Sequence, residues 1–202
     1  MKCPDCHMSY AEDILDDRMV HRKYHDEIVN GIPARQMKSD NTIWQNGDDR
    51  IIVVNAFSPR AQRVRAERVG RVANNEMPYD GSIYSACEQP DDREIHLFIY
   101  LSRNRAVGLS IIEKRSEICH YTWDEYDQHI QKELVEKESI WSLGFTWVHK
   151  KHRRYSVAKI LLLEATRYLE VCIKDVGVYT PFSEDGEAFT RAIFSDGFLI
   201  AK

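Results

Sequence analysis

The chain has 202 residues, 43% of them hydrophobic and 30% charged, and a formal net charge of −4. There is room for one sizeable core and a small appendage. The acidic balance excludes a protein that coats nucleic acid over its whole surface. No apolar run reaches the length of a membrane span, and the first residues lack the apolar region of a signal peptide.

The opening stretch "MKCPDCHMSYAEDILDDRMVHRKYH" holds Cys3 and Cys6 as C-x2-C and His21 and His25 as H-x3-H, with fourteen residues between the pairs. Two thiolates on a tight turn and two imidazoles one helical turn apart supply a tetrahedral zinc site. His7 is a competing ligand that fits this geometry less well, because it adjoins Cys6. Tyr10, Leu15 and Met19 or Val20 are expected to form the small apolar cluster beneath the finger. Its helix begins with carboxylates that repel phosphates, so docking is expected of it rather than sequence-specific DNA reading. Cys87, Cys119 and Cys172 are scattered, which makes no disulfide framework and points to a reducing compartment.

Residues 1–30 thus read as a C2H2-type finger, 31–47 as a polar linker punctuated by Gly and Pro, and 48–202 as the main domain. "RIIVVNAF" predicts a strand. After it, Ser58 and Pro59 open a helix whose apolar face carries Val69, Val72, Ala73 and Met77. Runs from Ile95 to Leu101 and from Ala106 to Ile112 predict a hairpin about the turn "SRNR". Residues 115–140 read as a short helix or a long loop.

"FTWVH" (145–149) predicts a strand, "KKHRR" is the densest basic run, and a helix follows from Ser156 with Val157, Leu161, Ala165, Tyr168 and Cys172 on one stripe. Trp147, Phe145 and Cys172 are expected in the core. A helix N-terminus offers unpaired N–H groups and a partial positive charge, and the preceding Arg153-Arg154-Tyr155-Ser156-Val157-Ala158 adds guanidinium donors suited to a pyrophosphate. "DVGVYTPF", "SEDGEAFTRAIFSDG" and "FLIAK" complete the chain as strand, short helix and strand.

This order of elements resembles the Gcn5-related acetyltransferase fold, an α+β architecture with a mixed, mostly antiparallel central sheet and flanking helices. The finger, "RVANNEM", "FIYLSRNRAVGLSIIEK" and "WVHKKHRRYSVAKIL" together resemble, in order, the establishment-of-cohesion acetyltransferases. The resemblance implies acetylation by acetyl-CoA of lysines on the ATPase head of a cohesin subunit, in the nucleus, to establish sister chromatid cohesion. Zinc is the implied structural metal, and replication-fork proteins are further implied partners. An acetyltransferase-fold docking module without turnover is the alternative.

Carried over, the pantetheine lies along Thr146, Trp147 and Val148, and the pyrophosphate meets Arg153, Arg154, Tyr155, Ser156, Val157, Ala158 and Lys159. Val148 N–H is the expected oxyanion donor on positional grounds, and Ser183, Glu184 and Asp185 are the candidate substitutes for the family's catalytic group, with Thr180 or Tyr179 nearby. The chain departs from the family at Gly144 and Phe145, where serine and arginine are usual, at Ser156, where glycine is usual, and at Pro181, which aligns with an aspartate of vertebrate members.

Overall fold

The computed structural model describes residues 1–76 and 94–201; Met77 and Cys87 lie outside them. Alternation along two strands sets the architecture. In β3 (Asp49–Asn55) and β4 (Ile95–Ser102) successive side chains take opposite faces. Ile51, Val53, Phe98 and Tyr100 are buried on one side, and Ile52, Val54, Leu97 and Ile99 on the other. A sheet apolar on both faces needs a cover on each. Helix α4 (Val157–Tyr168) covers the first with Val157, Leu161, Leu162 and Ala165. Helix α2 (Arg60–Asn75) covers the second with Ala66, Val69 and Ala73.

The longest strand is β5 (Arg105–Tyr121). It pairs with β4, with β6 (Val135–Val148), with β8 (Phe198–Ala201) and with the short β1 (Ile32–Pro33). The main path of the sheet runs β2-β3-β4-β5-β6-β7-β8, where β2 is Asn41–Asn46 and β7 is Gly177–Val178. Only the β6–β7 and β7–β8 pairings are parallel among the described strands, so the sheet is mixed and mostly antiparallel, as the sequence predicts. The remaining helices are α1 (Leu15–Asn30), α3 (Trp123–Asp127) and α5 (Glu184–Ile193).

The β4–β5 turn is a two-residue loop with both central residues, Arg103 and Asn104, at positive φ (47° and 62°). That conformation matches the twist of the flanking strands. The Asn104 carbonyl then accepts the Ala34 N–H at 2.9 Å, tying the turn to the segment before β2. Further along β5, Gly108 lets α4 approach: a Cβ there would lie 2.8 Å from Val157 Cγ1 and 3.0 Å from Leu161 Cδ1. Gly108→Ala is therefore expected to lower stability by about 1–3 kcal/mol, the usual range for overpacking, read by chemical denaturation. An unchanged denaturation midpoint would show that α4 is free to shift.

Four sequence expectations are corrected. The 31–47 stretch is no linker: it contains β1 and β2, and Ile32 and Ala34 are buried. Asp40 within it pairs with Arg65 of α2, and both side chains are buried. Residues 115–140 contain the short helix that is one of the two expectations, α3 with a Thr122–Glu125 capping box, but otherwise extend β5 and start β6 at Val135. The apolar cluster of the finger is Ile28 with Met8, Tyr10 and Tyr24, packed on Cys3 and Cys6; Leu15, Met19 and Val20 are exposed. Cys172 is exposed rather than core, because α4 stops at Tyr168 and Glu170 turns to a left-handed φ of 55°. Trp147 and Phe145 are buried as expected.

Candidate functional site

Strand β6 and the turn after it form the centre of the site. The His149 N–H donates to Val107 O at 2.9 Å, and the register pairs Val148 with Gly108 and Thr146 with Ser110. Hydrogen-bonded and non-hydrogen-bonded pairs alternate in an antiparallel ladder, so Thr146 and Val148 turn their backbone groups to the edge facing away from β5. On that edge β7 pairs only at Ser142 and Leu143. The last rung is Tyr179 N–H to Leu143 O at 3.2 Å. Beyond it the strands part and leave a cleft. Gly144 is an extra residue at this point, since Ile111 pairs with Phe145 and Ile112 with Leu143, which makes a bulge where the strands separate.

Below the cleft a single 3-10 turn (Lys150–His152) leads into α4. Arg154 and Ser156 both take positive φ, 66° and 62°, and left-handed residues of this kind are a component of backbone anion-binding nests. The first helical bond is Ile160 N–H to Ser156 O, which leaves the N–H groups of Val157, Ala158 and Lys159 at the unsatisfied start of the helix. Val157 is buried against the sheet, while Tyr155 and Lys159 are exposed. Arg153 and Arg154 both donate to Asp185 in the first turn of α5, at 3.1 and 3.2 Å, and Arg153 Nε donates to Val148 O at 3.1 Å. Ser183 Oγ accepts the Gly186 N–H at 3.2 Å and caps α5, and Glu184 is exposed beside it. Trp147 donates its indole N–H to Glu76 Oε2 at 3.0 Å. Burial pushes the Glu76 carboxyl up, opposed first by that indole bond.

Where the strands part lies a polar group of which the sequence places only Tyr179 near the site. Tyr179 OH donates to Glu113 Oε1 at 2.7 Å, Arg115 donates to the same oxygen at 2.8 Å, and Arg115 Nε also donates to the Tyr179 oxygen. Glu113 is 2% exposed. Burial, then the Glu113 bond, push the Tyr179 hydroxyl well above the ordinary tyrosine range. A Cβ on Gly144 would lie 3.3 Å from Glu113 Oε1 and 3.4 Å from the Tyr179 ring, so the missing side chain is what makes room for them. The available signal was a carboxylate closing the apolar run "AVGLSIIE" at a position whose alternation faces inward.

At the N-terminus the donor atoms of Cys3, Cys6, His21 and His25 all lie within 4.8 Å of one another. His21 Nε2 is buried with no hydrogen-bond partner among the described residues, as expected of an imidazole nitrogen meant for a cation. The N–H of Cys6 is the main influence holding the Cys3 thiol down at about 6, against burial. This donor set fits zinc. The back of α1 is fixed to the main domain. Arg105 binds both Asp26 oxygens, at 2.9 and 3.0 Å, and Arg68 pairs with Glu27. His149 is fully buried, and burial lowers its pKa. Its Nδ1 accepts the Lys151 N–H, so its Nε2–H donates to Ile28 O at 2.9 Å.

No protein-family model matches the chain. Individual relatives do. N-acetyltransferase ESCO2 of Danio rerio is 23% identical over 172 residues, 79% of this chain and 28% of that protein. N-acetyltransferase ECO1 of Candida glabrata is 22% identical over 186 residues (80% of this chain, 70% of that one). ECO1 of Kluyveromyces lactis is 24% identical over 212 residues (86% and 74%). Among solved structures, the xEco2 acetyltransferase domain bound to a K105–CoA conjugate superposes with a TM-score of 0.64 at 18% identity, covering 82% of this chain and 98% of that one. The chain resembles the establishment-of-cohesion N-acetyltransferases in sequence over most of its length, and the xEco2 domain in fold. A second structure of the xEco2 acetyltransferase domain has the same fold, with a TM-score of 0.57 at 19% identity. The chain spans just over a quarter of its Danio rerio relative and nearly three quarters of its Candida glabrata and Kluyveromyces lactis ones. Among the described residues no helix is long and apolar enough to cross a membrane.

Proposed function

We propose that the protein is an acetyl-CoA-dependent lysine N-acetyltransferase acting on the ATPase head of a cohesin subunit, at chromatin in the nucleus. The observation that supports this most directly is the open edge of β6 running straight into a basic turn and the N-terminus of α4. In this reading the pyrophosphate displaces Asp185 from Arg153 and Arg154, and takes the N–H groups from Ser156 to Lys159. Tyr155 stacks or contacts from the exposed side. The pantetheine arm pairs with the backbone of Thr146 and Val148, with Trp147 between them fixed from behind by Glu76.

Val148 sits at the turn end of the strand. Gly144 is four residues away, about 13 Å at a strand's rise, which is where the thioester end of the arm comes to lie. The oxyanion role expected of Val148 N–H therefore passes to the backbone at the bulge. Ser183 keeps its capping role, and Glu184 stays a candidate of the α5 rim. In the finger, zinc held by Cys3, Cys6, His21 and His25 supplies structural cross-linking.

The test is acetylation of a recombinant cohesin ATPase head, read by mass spectrometry, beside Arg153→Glu/Arg154→Glu. Each charge-assisted bond is worth about 1.5–3 kcal/mol, so acetyl-CoA affinity in the double variant is expected to fall by more than about tenfold, with lysine acetylation lost. Acetyl-CoA binding without any transfer by the wild type would leave the docking-module alternative standing instead.

A further inference from the structure

We propose that Glu113, acting through the Tyr179 hydroxyl, accepts the proton that the attacking lysine must lose; the proposal rests on the acetyl-transfer reading above. A lysine side chain has an ordinary pKa of about 10.4 and arrives as an ammonium. A group placed to take its proton must stand where the thioester stands, and the bulge at Gly144 marks that place. Glu113 and Tyr179 occupy the space that any other residue at 144 would fill.

The group is layered from outside to inside. Arg115 and Tyr179 are partly exposed, and Glu113 lies beneath them. The Tyr179 oxygen donates inward to Glu113 and accepts from Arg115 Nε. An oxygen with two lone pairs keeps one more acceptor direction, and the incoming ammonium is the donor that fits it. Arg115, bonded to both oxygens, fixes the pair in line. Facing Glu113 in the register are Ile95 of β4 and Ser142 of β6, with Gly144 and Tyr179 beside it and Arg115 along its own strand. Tyr179 and Arg115 are the titratable members of that set.

The step balances as follows. The ammonium gives one proton to the Tyr179 oxygen while the tyrosine's own proton passes to Glu113 Oε1. The neutral amine forms a C–N bond to the thioester carbonyl carbon and the C–S bond breaks. The departing thiolate takes the second proton from nitrogen. Acetyl-lysine and CoA thiol leave, and Glu113 returns its proton to solvent through Tyr179. No oxidant or metal takes part.

The experiment compares the full-length wild type with Glu113→Gln and Tyr179→Phe, measuring kcat and KM with the recombinant cohesin head between about pH 6 and 9.5. Glutamine keeps the size and the acceptor oxygen but takes no proton. Its kcat is expected to fall about a hundredfold or more at neutral pH, the range for loss of a general base, with KM for acetyl-CoA within about twofold of wild type. The deficit is expected to shrink by about tenfold per pH unit as solvent deprotonates the lysine itself. A deficit that stays constant with pH, or a loss below about threefold, would overturn the proposal and leave the acetyl-transfer reading intact. Absence of transfer by the wild type would overturn both. If Glu113→Gln does not fold, Tyr179→Phe is judged by the same pH criterion, since it removes the hydroxyl and keeps the ring.

Discussion

In Cys3→Ser, or after zinc chelation, residues 1–25 are expected to lose their structure while the main sheet survives. The finger has little to fall back on. Its buried apolar side chain is Ile28, helped by the partly buried Met8, Tyr10 and Tyr24. The first residue before α1, Ile14, gives no side-chain cap, and Ile14, Leu15, Met19 and Val20 are exposed. Ordering a residue's backbone costs about 1–2 kcal/mol, which so small a cluster does not offset. Structural zinc contributes about 10–16 kcal/mol in isolated fingers at neutral pH. The rear of α1 is held independently by Arg105, Arg68 and His149. Amide exchange should therefore accelerate by more than about a hundredfold before His25, worth about 2.8 kcal/mol, and much less from Asp26 to Asn30. Unchanged protection in residues 1–25 of Cys3→Ser would show that the metal is dispensable to the finger.

The second large effect concerns Asp40. Its carboxylate receives Arg65 through both guanidinium nitrogens and also accepts the Met37 N–H at 2.9 Å. The side chains of Asp40 and Arg65 are 1% and 7% exposed. Asp40→Ala leaves a guanidinium buried without its counter-charge, which costs about 3–5 kcal/mol. For a protein of this size the melting temperature is expected to fall by about 10 °C. Because the cost comes from the stranded charge and not from the pair's own worth, Asp40→Leu/Arg65→Met should be distinctly more stable than Asp40→Ala. Calorimetry of the two variants decides it: equal losses would mean that Arg65 finds water once its partner is gone.

The same ion pair shows where sequence reading stopped short. Polar residues and punctuation made 31–47 look like slack chain, yet "WQNGDD" contains Asn-Gly, a strong hairpin signal. Gly47 indeed takes φ 60° between β2 and β3. The strand was hidden because β2 lies at the end of the sheet order and shows the partly or fully exposed pattern of an edge, so periodicity had no core face to report. By contrast β4, β5 and the α4 turn were legible, because buried strands and a basic helix start leave residue-level traces: Ile95 to Leu101, Ala106 to Ile112, and Arg153-Arg154.

The candidate site divides along the same line. Ligand spacing exposes Cys3, Cys6, His21 and His25, since one turn and one helix bring them together locally. Glu113 and Arg115 lie on β5 and Tyr179 directly follows β7, far apart in sequence, and only the register of β5 with β6, and of β6 with β7, brings them to one point. Gly144 looked like a loss against the family pattern; in three dimensions it is the vacancy that the other strands fill.

The hydrogen bond from His149 to Ile28 has a mechanical meaning. It joins the finger helix and the turn without a slack segment between them. The rear of α1 is joined directly to His149, the residue that begins the turn, and not through a tether.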